Sequence, residues 1–176
     1  AHIKNFKNLK GIANAKSEII NNILGDGTII LNADDKFFKF LKYKSIKKKL
    51  RIISFGIQKK SDVSLINIKR GKFRSVIYIK YNQIKLKFVI KKNLENYIYN
   101  ILSTLAVISI YFDLEKLDKF FFNDYQFPEG RGDLKIIKLK DKKINLIDES
   151  YNSNPLSLQF ALNKLNSLNT KSKRKL

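Results

Sequence analysis

The chain has 176 residues, enough for one ordinary domain or parts of two, and 44% of them are hydrophobic, so a real core can form. It holds no cysteine, which excludes a disulfide framework and cysteine-based metal or nucleophile chemistry. No apolar run is long enough to span a bilayer, and the first residues lack the basic, apolar and small-residue order of a signal peptide, so a cytoplasmic globular protein without membrane insertion is expected.

In chain order, His2 is the only histidine, so no pair of histidines can bind a metal. From Gly11, the residues Ile12, Ala15, Ile19, Ile20 and Ile23 share one face at helical spacing, and Lys16 falls at the edge of that stripe, where it is not an obviously solvated lysine. Gly25-Asp26-Gly27 breaks the helix, and Thr28 to Leu31 reads as a buried strand. The strand empties into Asn32-Ala33-Asp34-Asp35. This places polar groups at a strand carboxyl end, where open α/β sheets keep their ligand sites. Asp34 and Asp35 read first as caps of a helix carrying Phe37, Phe38 and Leu41.

Arg51 to Phe55 is a strand ending at Gly56, and Asp62 to Ile68 alternates as a half-exposed strand should. Lys72 to Lys80 and Ile84 to Lys92 form a β-hairpin about Tyr81-Asn82-Gln83. The longest apolar helix is expected from Leu94 to Phe112, with Asn100 as its polar exception, and a shorter one from Leu114 to Phe122. Asn123 to Gly130 is the clearest boundary by turn composition. Leu134 to Leu139 and Lys143 to Ile147 form a second hairpin about Asp141-Lys142. Asn154-Pro155 then reads as the N-cap and N1 pair of a helix from Leu156 to Leu168.

Three stretches carry a family resemblance. Ala13-Asn14-Ala15-Lys16-Ser17-Glu18-Ile19 followed by Gly27-Thr28-Ile29-Ile30-Leu31-Asn32-Ala33-Asp34-Asp35 resembles the central domain of the Mur ligases, the ATP-dependent amide-forming enzymes of peptidoglycan assembly. Pro128-Glu129-Gly130-Arg131 looks like the family's P-x-G-R entry into the C-terminal domain. Ile147-Asp148-Glu149-Ser150-Tyr151-Asn152-Ser153-Asn154-Pro155 is similar to its D-[DE]-S-Y-N-A-N-P motif. The last of these points to the branch that adds D-alanyl-D-alanine to the UDP-N-acetylmuramoyl tripeptide.

The resemblance implies an α/β fold: residues 1–127 as the later part of a central ATPase domain, a mixed sheet with helices, and residues 128–176 as the start of a Rossmann-like C-terminal domain. It implies ATP and magnesium (Mg2+) as cofactors. Lys16 would be carbamylated at the magnesium site, with the carbamate supplying the hard oxygens that magnesium prefers, and His2 would serve a second magnesium site. Asn100, Glu149, Tyr151 and Asn152 would meet the adenine and ribose of ATP, and Arg131 its phosphates. The family's G-T-N-G-K-T phosphate loop does not occur among these residues. The expectation is therefore a fragment of a ligase that is a monomer at full length, with the loop and the UDP-sugar domain upstream.

Charge offers a competing reading. The formal charge of +21 comes from 36 Lys+Arg against 15 Asp+Glu, and a protein so basic is drawn to polyanions by phosphate neutralisation alone, with no catalysis. Only five of the 36 are arginine (Arg51, Arg70, Arg74, Arg131 and Arg174), and the lysines are scattered through every predicted element beside abundant asparagine and isoleucine. That is the pattern of a compositional bias, and no specific nucleic-acid partner is expected. Lys47-Lys48-Lys49 and Lys171 to Lys175 read as solvated surface or a frayed end.

Overall fold

The computed structural model describes residues 8–58, 60–140, 142–151 and 155–167. They fall into two compact units, one reaching Asp124 and the other beginning at Tyr125.

The first unit is built on a five-stranded mixed sheet of order β1-β2-β3-β4-β5. β1 (Thr28–Asn32) and β2 (Arg51–Gly56) run parallel in full register, from Thr28 against Arg51 to Asn32 against Phe55. β3 (Val63–Arg70) is parallel to β2 but overlaps it only at Phe55–Val63 and Gly56–Ser64. β4 (Arg74–Tyr81) and β5 (Ile84–Lys91) follow as an antiparallel hairpin whose turn places Asn82 at φ +54°. The two halves of the sheet are buried differently. On β2 the neighbours Ile53 and Ser54, which point to opposite faces, are both buried. On β4 only the alternate residues Ser75, Ile77 and Ile79 are buried, as befits an antiparallel strand with one wet face.

Helix α3 (Phe38–Lys47) packs on β1 and β2, and α4 (Ile98–Ile108) on β1, β2 and β3. The α4 residues Ile98, Ile101, Leu102, Leu105 and Ala106 form its buried stripe at helical spacing. The expected helix from Leu94 to Phe112 is shorter, because Lys92–Tyr97 is a 3₁₀ turn. There Glu95 is drawn to the sheet: its carboxylate accepts from the Ser75 hydroxyl, from Arg70 Nε (3.1 Å) and from Lys92 Nζ (3.0 Å). Burial opposes ionisation of Glu95, but these donors outweigh it and hold the carboxyl below its usual value.

The helix expected from Leu114 to Phe122 is absent apart from a 3₁₀ turn at Leu114–Lys116. Asp113 and Asp118 each accept from the backbone N–H two residues on (3.0 and 2.6 Å), starting two separate turns, and the Lys119 carbonyl is taken by the Val89 N–H of β5 (2.7 Å). One of the segment's three phenylalanines is still used, since Phe122 is buried edge-on against Phe88.

The basic surface is partly an apolar cover. In α3, Lys42, Lys44 and Lys47 lie over the rings of Phe38, Phe40 and Tyr43, each one turn back. These lysines cover aromatic area; Lys42 and Lys47 are exposed, whereas Lys44 Nζ donates to the Ser17 hydroxyl. Among the described residues, no helix is long and apolar enough to cross a membrane.

The second unit contains an antiparallel ribbon of β6 (Asp133–Leu139) and β7 (Lys142–Asp148), paired from Asp133–Asp148 to Leu139–Lys142, and helix α5 (Pro155–Ser167). The reversal has Lys140 at φ +50°; Asp141 lies outside the described residues. Pro155 is the first residue of α5, as expected for N1, while its proposed cap Asn154 also lies outside them.

Candidate functional site

In the first unit, polar groups gather at the carboxyl ends of β1 and β2. The Asn32 side chain accepts from the Asp34 N–H (2.9 Å), folding the chain back as it leaves β1. The Asp34 carboxylate then accepts from the N–H of Ile57 (2.6 Å), the N–H of Gln58 (3.1 Å) and the Tyr99 hydroxyl (3.1 Å). It thereby ties the end of β1 to the end of β2 and to the first turn of α4. Gly56 leaves room for it, since a Cβ there would sit 3.1 Å from the carboxylate. Partial burial, then the Asp34 carboxylate, hold the Tyr99 phenol above its usual value.

The capping expected of the two aspartates is therefore divided. Asp35 Oδ1 accepts from the Phe37 N–H (2.7 Å) just ahead of α3, whereas Asp34 braces the sheet, and the N-cap of α3 is Phe37 with no side-chain bond. Asn100 follows Tyr99 on the exposed side of α4, and its carbonyl accepts from the Ser103 hydroxyl (2.9 Å).

Lys16 lies in α1 (Leu9–Ser17), which Asn8 caps by accepting from the Gly11 N–H (2.9 Å). The single stripe expected through Ile23 is interrupted, because α1 ends at Ser17 and α2 (Ile19–Asn22) starts after a break at Glu18. The buried face also lies about a quarter turn from the expected one and keeps its i, i+4, i+7 spacing across the break. Ala13, Ser17 and Ile20 face inward while Ile19 turns out, and Lys16 is exposed rather than sheltered by the stripe. Ser17 is fixed in place of the lysine: its hydroxyl donates to the Asn14 carbonyl (2.6 Å) and accepts from Lys44 Nζ of α3 (2.7 Å). His2 lies outside the described residues.

The second unit brings two of the sequence-derived residues together. The Arg131 guanidinium lies over the Tyr151 ring, 4.1 Å from its centroid. Backbone bonds hold the two segments: the Tyr151 N–H donates to the Gly130 carbonyl (3.1 Å) and the Gly132 N–H to the Asp148 carbonyl (2.6 Å). Gly130, at φ +72°, is required twice over, for the left-handed backbone and because a Cβ would meet the Tyr151 nitrogen at 2.9 Å. Glu149 stands in the same loop; Asn152 lies outside the described residues.

Asp148 stiffens this loop. Its Oδ1 accepts from the Ser150 hydroxyl (2.6 Å) and the Ser150 N–H (3.1 Å), and Lys135 Nζ sits 3.3 Å from Oδ2. The Ser150 hydroxyl first, then the Ser150 amide and Lys135, hold the Asp148 carboxyl below its usual value. Asp148 and Ser150 lie within the D-E-S-Y motif, and an Asp-x-Ser after a strand is the local signal for their bond. Tyr99 carries no such signal, because its partner is 65 residues away.

The fold and these groups define a class: a mixed α/β domain with a braced polar edge at the carboxyl ends of its parallel strands, continued by a ribbon and helix that present an arginine on a tyrosine ring. Comparison with known proteins narrows it. The Mur ligase middle domain model matches residues 1–108, and the chain belongs to the Mur ligase family.

Among curated relatives it is 31% identical over 172 residues to the UDP-N-acetylmuramoyl-tripeptide--D-alanyl-D-alanine ligase of Buchnera aphidicola, covering 94% of this chain and 36% of the relative. It is 25% identical over 170 residues to the UDP-N-acetylmuramate--L-alanine ligase of Borrelia garinii, covering 92% and 35%. The crystal structure of MurF from Acinetobacter baumannii superposes with a TM-score of 0.77 at 26% identity, over 96% of this chain and 36% of that one. MurF ligase from Thermotoga maritima, solved in complex with ADP, has the same fold, with a TM-score of 0.69 at 18% identity over 94% and 36%. The chain thus spans about a third of the length of the curated relatives it matches.

Proposed function

We propose that the full-length protein is an ATP-dependent amide ligase of peptidoglycan precursor synthesis that joins D-alanyl-D-alanine to the UDP-N-acetylmuramoyl tripeptide in the cytoplasm and acts as a monomer. The observation that carries this reading is the joining of the P-E-G-R turn to the D-E-S-Y loop. It leaves Arg131 exposed with one face on Tyr151, in a chain of this family. The D-E-S-Y-N-S-N-P stretch and the 31% identity to a tripeptide ligase favour that branch over the L-alanine ligase at 25%.

In the proposed reaction a carboxylate oxygen of the tripeptide attacks the γ-phosphorus of ATP and ADP leaves. The amine of D-alanyl-D-alanine then attacks the acyl phosphate carbonyl, phosphate departs and the amine proton is lost. Arg131 serves as a fixed cation at the phosphates. Glu149 and Asn152 are assigned to the ribose and adenine, Asn100 at the start of α4 to the adenine, and Tyr151 to the Arg131 guanidinium it underlies.

Magnesium fits less directly. Among the described residues no three His, Cys, Asp or Glu side chains converge on one point, and a lysine ammonium cannot ligate a cation. Lys16 enters only as a carbamate, for which its exposed position leaves carbon dioxide free access, and His2 is proposed for a second ion. One such ligand does not make a site, so no step is assigned to the metal. Lys16→Ala in the full-length protein is expected to abolish ligation, with partial recovery on adding short carboxylic acids; near-normal turnover of the variant would sink the assignment.

A further inference from the structure

We infer that Tyr151 is a positioning residue: its ring face holds the Arg131 guanidinium in place for a phosphate ligand, a role that rests on the reading of Arg131 given above. The backbones of the two residues are already fixed to each other through the Tyr151 N–H to Gly130 carbonyl bond, and the Arg131 N–H donates to the Pro128 carbonyl (3.2 Å). Only the side-chain torsions remain to be set. A free arginine samples many rotamers, and ordering it on binding costs affinity. The ring removes that freedom, since a guanidinium 4.1 Å from the centroid is held by its face, while the N–H groups at its edge remain available for a forked contact to phosphate oxygens.

Burial does not account for the tyrosine. It is 64% exposed, so its ring adds little to a core. The contact with Arg131 uses the ring alone, so the phenolic hydroxyl is dispensable to this role.

The test is ATP kinetics of the full-length protein with Tyr151→Phe, Tyr151→Leu, Arg131→Ala and the Arg131→Ala/Tyr151→Leu pair. Tyr151→Phe is expected to stay within about twofold of the unsubstituted protein. Tyr151→Leu is expected to lower kcat/KM for ATP about fivefold, the size of a cation–π contact at an exposed site, and to cost nothing further once Arg131 is gone. A Tyr151→Leu variant with unchanged kinetics overturns the proposal, as does a loss that persists in the Arg131→Ala background, which would mean that the ring touches the nucleotide itself.

The Arg131 Nε–Hε resonance of the unsubstituted protein reads the same contact without any substitution. An upfield ring-current shift supports the stack, and a free-arginine position overturns it. Arg131→Ala with unchanged ATP kinetics, or no ADP release by the unsubstituted protein, would instead overturn the ligand reading on which the inference rests, whatever the resonance shows.

Discussion

Asp34 follows β1 and Asp148 closes β7, yet the first accepts from amides 23 and 24 residues away and from a hydroxyl 65 residues away, while the second accepts from Ser150 two residues on and from Lys135 across its own ribbon. Each carboxylate organises the polar end of a strand. Asp34 does so by joining two strands of the sheet to helix α4, Asp148 by stiffening one loop. A brace of the first kind carries the packing of the whole unit with it. One of the second kind can be loosened while the ribbon around it stands.

The contrast can be broken from either side. Asp34→Ala removes the hydrogen bonds that Ile57, Gln58 and Tyr99 donate to a charged acceptor and is expected to destabilise the first unit by about 3 kcal/mol, read from denaturant unfolding; a loss below about 0.5 kcal/mol would mean that Asp34 does not brace the sheet. The smaller effect is at Asp148, whose lowered carboxyl pKa means that the folded loop favours the carboxylate. Its contribution is therefore present above the ordinary aspartate value of about 3.9 and is lost as pH falls through the lowered one. Asp148→Asn is expected to flatten acid-induced loosening of the 148–151 loop, followed by amide exchange at Tyr151, while leaving the β6–β7 pairing intact. An unchanged acid response would remove Ser150 and Lys135 as its cause.

The same distinction between near and distant partners decides what could be read before the structure. Strand periodicity placed β1, β2 and the β4–β5 hairpin within a residue or two, and Asn82 took the turn position expected of it, because alternation and turn chemistry are local. The second helix after α4 did not form. Its apolar residues had the right composition, but Asp113 and Asp118 capture nearby amides and β5 recruits the Lys119 carbonyl, a tertiary demand that composition does not show. The exposure of Lys16 has a different origin: the buried face runs through Ala13, Ser17 and Ile20, about a quarter turn from the expected apolar stripe.

Within the candidate site, Arg131 and Tyr151 were legible as members of two motifs, and the structure adds their contact. The role of Gly130 follows once the Tyr151 nitrogen is seen 2.9 Å from where a Cβ would lie. Asp34 could be flagged as polar chemistry at a strand end, but its donors Ile57, Gln58 and Tyr99 come from segments that only the fold brings near.

The most direct test of the proposed activity is ADP release by the full-length protein, with ATP and magnesium supplied, offered two acceptor–amine pairs. Release and a new amide product are expected only with UDP-N-acetylmuramoyl tripeptide together with D-alanyl-D-alanine. Turnover with UDP-N-acetylmuramate and L-alanine instead, or none with either pair, would contradict the proposed activity.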